Sequence, residues 1–423
     1  ARFCLLTAGH KQDTPREVSG GFYLTRLDHL LDPTRIYKLK TSDFERINPN
    51  TKTCPVFRTS QDAMLTTQIY RQCKVLINDA TRENIWHIKF ARMFDMSNDS
   101  HLFYTYSQLV DKGAKLEGNK FLLNNQFYVP LYEGKMIWHY NHHFGTINEG
   151  TKEKPARQMA MPTSDELKNP NHNIMPWYWI PKEDMDNRLI KTDAKGNIIW
   201  EWSHKWLIGF RDITNATHDR TFVISLIPDA CGVGNSATLL FVERGTMPGA
   251  LLLGMMSSLV FDYATRQKIG GSHASISFVK QFPVLTPEQV SSSGYEQDIV
   301  ERVARLCWFN HDLDGWMEEL REECPEEYDL PEEPVIWDEE QRTVWQAELD
   351  AIFAHLYGLT TEDLRYILDP EDVCGKGCIN ETFRVLKERE LRELGEYRTK
   401  RLVMEAWNKF EFDNKLKMLC YEK

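Results

Sequence analysis

Three histidines stand close together in the segment YEGKMIWHYNHHFGTI, residues 132–147. His139, His142 and His143 are spaced i, i+3, i+4, which on a helix would place all three on one face. Two or three imidazoles in that arrangement could share a zinc ion. The first question is therefore whether this segment is helical and whether it binds a metal.

The residues around the histidines favour a strand. KMIWHY (135–140) is rich in strand-forming residues and follows a turn-like YEG. On a strand, His139 and His143 would share a face and His142 would point away. No HExxH motif or cysteine pair stands near, so we predict no metal site. A metal-dependent hydrolase built on these histidines is kept as an alternative.

Length and composition indicate an ordinary globular protein of several domains. The chain has 423 residues, 42% of them hydrophobic, and domains average about 150 residues. No apolar run is long enough for a membrane span, and GALLLGMMSSLVFDYA (249–264) predicts a buried element. The nine cysteines are irregularly spaced. Free thiols and a cytoplasmic location, with no membrane contact, are the expectation.

The net charge of −11 is unevenly distributed along the chain. Residues 295–340 hold 17 acidic residues and three arginines, a net charge of −14. The rest of the chain therefore carries +3. Because the local field attracts nucleic acid, a DNA-binding surface outside the acidic segment is compatible with this composition.

Sequence patterns divide the chain into three regions, 1–80, 81–290 and 291–423. In the first, RFCLLTA (2–8) and FYLTRL (22–27) predict strands, and a short helix is expected to begin near Ser60. The second is rich in predicted strands, with buried ones at 220–228 and 237–243. The overall expectation is an α+β fold.

The third region changes to helical patterns after a predicted linker, SSSG (291–294). Asp338 resembles a helix cap and precedes an amphipathic stripe that continues to Leu356. Thr360 predicts the cap of the next helix, and Asn380 that of a last, long helix. The acidic face of these helices is interpreted as solvated.

Several long blocks, in the same order, resemble one protein family, the large bacterial adenine-specific DNA methyltransferases of restriction–modification and phage-defence systems. The blocks are INPNTKTCPVFR (47–58), FDMSNDSHLF (94–103), PLYEGKMIWHYNHHFGTI (130–147), GFRDITNATHDRT (209–221), GGSHASISFVKQFPVL (270–285), ELDAIFAHLYGLTTEDLRYILD (348–369) and ETFRVLKERELRELGEYRTKRLVMEAW (381–407). These enzymes combine a methylase domain, a target-recognition domain and a helical region.

The resemblance implies a role for each region. Residues 1–80 would be the end of a methylase domain with a remnant of its sheet and a connector, 81–290 the DNA target-recognition domain, and 291–423 the helical domain. PLYEGKMI resembles the opening of a target-recognition domain. GGSH and FVKQFPVLTP resemble its closing segment, which is similar also to type I specificity subunits.

The motifs for methyl transfer are missing from the sequence. Adenine methylation needs a glycine-containing turn that holds S-adenosylmethionine and an Asn/Asp-Pro-Pro-aromatic loop for the flipped base. The two Asn-Pro dipeptides, at 48–49 and 169–170, lack the following Pro-aromatic pair, and GVG (232–234) lacks a third glycine. We therefore expect neither catalytic residues nor a cofactor in this chain. S-adenosylmethionine is expected for a full-length parent, with its catalytic motifs upstream of Ala1.

Candidate DNA contacts lie within the family-like blocks, where basic and small polar side chains suit phosphates and base edges. They are Lys135, Arg211, Arg220, Lys268, Ser272, His273 and Lys280. Two alternatives stay open for the arginines and the first lysine. Lys135 could be a solvated turn residue, and Arg211 and Arg220 could instead pair with Asp212 and Asp219.

The sequence thus predicts DNA sequence recognition for an adenine-N6 methyltransferase, although whether the chain is itself an enzyme stays open. The expected partners are double-stranded DNA and an upstream methylase domain or separate methylase subunit. The alternative is a free-standing specificity or scaffold subunit that partners a separate methylase or nuclease.

Overall fold

The computed structural model describes residues 17–148, 158–215, 218–379 and 381–421, with side chains up to residue 411. It has an α+β fold with small, mainly antiparallel sheets. The strand expected at 2–8 lies outside the described residues. The first elements are β1 (Glu17–Gly20), β2 (Tyr37–Lys40), α1 (Thr41–Ile47), α2 (Ser60–Gln72) and β3 (Lys74–Val75).

The strand predicted at 22–27 is wrong. These residues are irregular and lead into a 3-10 helix, Leu27–Leu30, because Tyr23 adopts a left-handed backbone with φ of 57° that ends an extended run. β1 and β2 form a two-stranded antiparallel sheet. The helix expected near Ser60 is confirmed as α2, where the Thr59 hydroxyl accepts a hydrogen bond from the backbone N–H of Asp62 at 2.9 Å.

The strand-rich region, residues 81–290, holds most of the sheet structure. Its strands are β4 (Ile88–Ala91), β5 (Lys115–Glu117), β6 (Lys120–Leu123), β7 (Gln126–Tyr132), β8 (Thr146–Asn148), β9 (Gln158–Ala160), β10 (Tyr178–Pro181), β11 (Ile190–Thr192), β12 (Ile198–Glu201), β13 (Trp206–Arg211), β14 (Ile224–Pro228), β15 (Gly232–Val233), β16 (Ala237–Val242) and β17 (Pro283–Val284). Its helices are α3 (Tyr106–Asp111), α4 (Ser164–Lys168), α5 (Lys182–Arg188), α6 (Thr246–Ser257), α7 (Leu259–Arg266), α8 (Ile276–Val279) and α9 (Pro287–Ser291).

Two sheets form the frame of this region. One is antiparallel with the order β14–β13–β16–β4, and the other has the order β10–β7–β6–β5 with β15 parallel to β7. The two predicted buried strands are confirmed as β14 and β16, whose residues are all buried. β13 lies between them as a central strand, and Arg211 is its last residue.

The predicted buried element at 249–264 is confirmed as the helix pair α6 and α7. Nearly all of its residues are buried, and Ser258 separates the two helices by capping α7. Within the residues described, no single helix is long and apolar enough to cross a membrane. α6 and α7 pass that test only when taken together, and they are bent by 61°.

The helical region, residues 291–421, begins almost directly after α9. Gly294, with φ of 76°, makes the turn that separates the two helices. The elements are α10 (Glu296–Cys307), α11 (Asp314–Glu323), α12 (Glu339–Leu356), α13 (Thr361–Leu368), α14 (Pro370–Cys374), α15 (Arg384–Leu394) and α16 (Arg398–Tyr421). Asp338 caps α12 and Thr360 caps α13, as predicted.

The prediction that Asn380 caps the last helix is wrong. Asn380 itself lies outside the described residues, but α15 begins at Arg384, after Phe383 in a left-handed conformation. A further helix, α16, follows it. The sequence does not mark this start because Phe383 is not a residue type that usually caps helices.

One hydrophobic core connects the three regions. It extends from Leu65 in α2 to Phe410 in α16 and includes the buried faces of α6, α7, α10 and α12. Close packing requires Gly254 of α6, since a Cβ there would lie 3.1 Å from a methyl of Val303 in α10. The helical region therefore packs directly on the strand-rich region. The seven cysteines whose side chains are described are free thiols.

Candidate functional site

A cleft of about 850 Å³ lies between the strand-rich region and the helical region. We call it the arginine cleft because guanidinium groups from both sides line it. They belong to Arg211 and Arg220 on one side and to Arg342, Arg389 and Arg398 on the other. The aromatic rings of Trp138, Phe144 and Trp337 also line the cleft.

Arg211 is held at the end of β13 by groups that do not neutralise its charge. Its Nε and Nη2 donate hydrogen bonds to the carbonyl of Ile137 at 3.0 and 2.6 Å. Its guanidinium lies 4.8 Å from the ring of Trp138 and 5.3 Å from that of Phe144. Burial lowers the pKa of Arg211 to about 10, so it remains a cation at neutral pH.

The histidine segment that holds these rings is a turn, and the strand predicted over KMIWHY is wrong. Trp138 and Asn141 exchange backbone hydrogen bonds at 2.8 and 3.0 Å, and Tyr140 between them has φ of 56°. The turn stacks Trp138 on Phe144, with ring centres 5.1 Å apart. A local left-handed residue reverses the chain where strand propensity alone predicts an extended run.

The turn also separates the three histidines differently from the prediction. His142 and His143 lie together, with ring centres 4.3 Å apart, so the inference that His142 points away from His143 is wrong. His139 and His143 both line the arginine cleft. Burial, with Arg220 and Arg211 nearby, holds the pKa of His139 well below its usual range, so its imidazole is neutral.

Arg220 belongs to a buried ion-pair cluster of three residues, which we call the Asp262 cluster. The Oδ2 of Asp262 lies 3.2 Å from Arg220 Nε, and its Oδ1 lies 2.7 Å from Arg266 Nε. The carboxylate also accepts hydrogen bonds from the backbone N–H groups of Thr221 and Phe222. Arg220 in addition donates to the carbonyl of Ser257.

The pairing of Arg211 and Arg220 with their sequence neighbours is wrong. Asp219 pairs with Arg389 of α15, across the cleft. Asp212 accepts a hydrogen bond from His273 Nδ1 at 2.8 Å and lies 3.8 Å from Arg92. Adjacent residues on an extended chain point in opposite directions, so each finds its partner on another element.

Three further arginines of the cleft, Arg342, Arg389 and Arg398, were missed by sequence reasoning. Arg342 donates to the carbonyls of Leu306 and Tyr140 at 2.7 and 3.0 Å, and its guanidinium lies 3.7 Å from the Trp337 ring. Burial lowers the pKa of Arg342 to about 10. The Nε of Arg398 is buried and has no hydrogen-bond partner among the described residues. Arg398 lies in the family-like block 381–407, which was the available signal.

Ser272 and His273, two of the residues predicted to contact DNA, lie next to the cleft. Thr214 donates its backbone N–H to the Ser272 carbonyl at 2.9 Å, and Ile213 forms a β-bridge with His273. Ile213 and Thr214 both line the cleft. Both predicted residues are exposed.

The three predicted lysines have other partners. Lys135 pairs with Glu133 at 3.0 Å and is half-exposed. Lys280 pairs with Asp79 at 2.9 Å. The ammonium of Lys268 donates to the backbone carbonyls of Ile47 and Gln281, and burial lowers its pKa well below the usual range. Lys268 therefore connects α1 to the segment before β17, and its ammonium is not placed to meet a phosphate.

The cleft combines five arginines and several aromatic rings with the carboxyl groups of Asp219, Glu339, Asp350 and Glu390. Among the described residues Arg211, Arg342 and Arg398 form no ion pair with a carboxylate, whereas Arg220 and Arg389 do. Arginine binds phosphate through two parallel hydrogen bonds, and aromatic rings and guanidinium planes stack on bases. Such a site suits an anionic ligand with a planar ring. No family model and no curated protein matches this chain.

Proposed function

We propose that this chain recognises DNA for an adenine-specific methyltransferase of the restriction–modification or phage-defence type, and that the arginine cleft contacts the nucleic-acid strand. The observation that carries the proposal is the set of three arginines without a carboxylate partner in one cleft: Arg211, Arg342 and Arg398. The similarity of the sequence blocks to the methyltransferase family agrees with it.

Charge at the cleft favours a phosphate ligand. Arginines whose charge is not neutralised by a carboxylate keep their electrostatic attraction for an anion, and a partly buried site screens it less than water does. Arg211 and Arg342 are already oriented by backbone carbonyls and rings, so little side-chain entropy is lost on binding. These two are positioned before the ligand arrives, and Arg398 supplies a further donor.

The size of the cleft limits what it can hold. Its volume of about 850 Å³ lies within the range of small-ligand sites, about 300–1,000 Å³, and is too small for a whole duplex. A phosphate with its attached nucleotide fits the mixture of cations and rings. Ser272 and His273 next to the cleft would then meet the flanking backbone.

The helical region lines this site through Arg342 and Arg398, and its helix α11 docks onto the strand-rich region. Glu319 of α11 accepts hydrogen bonds from the backbone N–H of Lys205 and the hydroxyl of Thr246 at 2.7 and 2.9 Å. Glu323 accepts from the first backbone N–H groups of α6, where a carboxylate is favoured by the helix dipole. Acidic residues of α11 thus dock it onto the strand-rich region, which agrees with a structural role for the acidic segment.

The test is DNA binding of the full chain and of two charge-reversal variants, measured by fluorescence anisotropy with mixed-sequence duplex and single-stranded DNA at low and high salt. We expect wild-type affinity of about 10⁻⁴–10⁻⁶ M, falling with salt. Arg398→Glu should weaken binding at least tenfold and reduce the salt slope by about 1. Arg392→Glu is the matched control, because Arg392 is exposed on α15 and pairs with its neighbour Glu393.

The control should change the affinity less than twofold. Absence of binding to either DNA at low salt would refute DNA recognition by this chain. Equal losses of affinity in the two variants would show that the chain binds DNA, but not at the arginine cleft.

A further inference from the structure

A cluster of polar side chains next to the arginine cleft joins the strand-rich region to the helical region. His142 and His143 come from the strand-rich region, and Asp312 comes from the 3-10 helix His311–Leu313 that precedes α11. One possible ligand atom from each residue lies within 4.8 Å of the others. His143 Nε2 lies 2.9 Å from Asp312 Oδ2. His143 and Asp312 are 169 residues apart in the sequence, so the cluster exists only because the chain folds.

The imidazoles of this cluster have nitrogens without partners. His142 and His143 are at most 1% exposed. His142 Nε2 and His143 Nδ1 are buried, with no hydrogen-bond partner among the described residues. The ring centre of the neighbouring His172 lies 6.1 Å from that of His143. The Nε2 of His172 is also buried and has no hydrogen-bond partner among the described residues. A buried polar atom left unpaired costs about 1–3 kcal/mol, so three in one place indicate a missing ligand.

We propose that His142, His143 and Asp312 bind a divalent transition-metal ion, best Zn²⁺. Two imidazoles and a carboxylate are ligands that zinc prefers, whereas Mg²⁺ and Ca²⁺ prefer oxygen alone. Zinc–ligand distances of about 2.0–2.1 Å place ligands about 3.3 Å apart. The possible ligand atoms lie within 4.8 Å of one another, so they would have to approach by up to about 1.5 Å to meet one ion.

The metal would fasten the helical region to the strand-rich region. The chain around Asp312 already docks there, because Asn310 donates to the carbonyl of His172 at 2.9 Å and His311 donates its backbone N–H to that of Pro170 at 3.0 Å. Phe309 packs against the rings of both His142 and His143. An ion held by residues from both regions adds a link at the centre of this contact, and its role is structural.

The experiment titrates the full chain with Zn²⁺ and with Co²⁺ after removal of metals by a chelator. We expect saturable binding of one ion per chain, visible Co²⁺ absorption of a four- or five-coordinate site, and a higher melting temperature with Zn²⁺. His142→Ala and Asp312→Asn should each lose the absorption and weaken binding at least tenfold. His311→Ala is the matched control, since His311 adjoins Asp312 but pairs with Asp314.

Asp312→Asn keeps the size of the side chain, so it tests metal binding even if His142→Ala does not fold. Circular dichroism checks the folding of both variants. No saturable binding by the wild-type chain would overturn the proposal, and water would then be the partner of the buried nitrogens. Binding that persists unchanged in both variants would overturn it equally. None of these measurements involves DNA, so their outcome is independent of the proposed function.

Discussion

The Asp262 cluster and the arginine cleft both contain arginines, but the arginines differ in whether a carboxylate neutralises their charge. In the Asp262 cluster, two arginines surround one fully buried carboxylate that also accepts two backbone hydrogen bonds. In the cleft, Arg211, Arg342 and Arg398 form no ion pair with a carboxylate among the described residues. An arginine whose charge is neutralised inside the protein holds the fold together, whereas one that keeps its charge at a cleft is available to a ligand.

A carboxylate partner, and not burial, distinguishes the two sites, since Arg342 of the cleft is 3% exposed and Arg266 of the Asp262 cluster is 9% exposed. A charge with no solvent around it needs a counter-charge or several dipoles, and Asp262 supplies the counter-charge to Arg220 and Arg266. Arg211 and Arg342 receive carbonyl dipoles and ring faces instead, which orient the guanidinium without cancelling its charge. The comparison predicts that mutations in the first site act on stability and those in the second act on binding.

The largest effect is expected from Asp262→Ala. It would leave two buried guanidinium groups without their carboxylate and two backbone N–H groups without an acceptor. Breaking a buried ion pair from one side costs about 3–5 kcal/mol of the free energy of unfolding. Urea denaturation followed by circular dichroism measures this loss. Asp165→Ala, at an almost fully exposed side chain, is the control and should change the stability by less than about 0.5 kcal/mol.

An intermediate effect is expected at Asp350, which lines the cleft beside the Asp262 cluster. Burial raises the pKa of Asp350 from 3.8 to about 7, with Asp262 adding to the rise while Arg220 and the backbone N–H of Leu259 oppose it. Between pH 4 and 7 the folded protein therefore keeps a proton that the unfolded chain has lost. The contribution of Asp350 to the free energy of unfolding falls as the pH rises through this range and is constant above it.

Asp350→Asn removes the titration and keeps an oxygen that can accept from Leu259. We expect the variant to be more stable than the wild type by on the order of 4 kcal/mol at pH 8 and nearly equal to it at pH 4. Denaturation at several pH values measures the difference. A difference that does not change with pH would show that Asp350 titrates at its ordinary pKa.

The smallest effect on stability is expected from Arg398→Ala. Its guanidinium makes no ion pair among the described residues, so its removal should change the free energy of unfolding by no more than about 0.5 kcal/mol. The same variant should lose affinity for DNA, which would separate binding from stability at one residue. A large loss of stability in denaturation would instead assign Arg398 to the structural group.

Local signals in the sequence predicted several elements correctly. Thr360 caps α13, and Asp338 caps α12 by accepting from two backbone N–H groups at its start. The apolar runs that became β14 and β16 are buried as expected. These features depend on residues within one or two turns or on a single run of side chains, so a linear reading contains the information needed.

In the histidine segment, prediction from local sequence signals fails. KMIWHY has the composition of a strand, but Tyr140 takes a left-handed conformation in a tight turn. The turn stacks Trp138 on Phe144 and places both rings next to Arg211. A left-handed residue is uncommon outside glycine and asparagine, and contacts distant in sequence decide where it is tolerated. Local propensity therefore gave the wrong element and the wrong grouping of the three histidines.

The sequence by itself determined the α+β composition, the positions of α2, α12 and α13, the buried strands β14 and β16, and a set of basic residues that includes Arg211 and Arg220. Tertiary structure alone decided which of these charges are neutralised. Lys268 became buried against two carbonyls, Arg220 found Asp262 across 42 residues, and Arg342 and Arg398 joined the cleft from helices far along the chain. Periodicity and caps are local properties of the chain, but an ion pair depends on which elements pack together, and packing is set by the whole core.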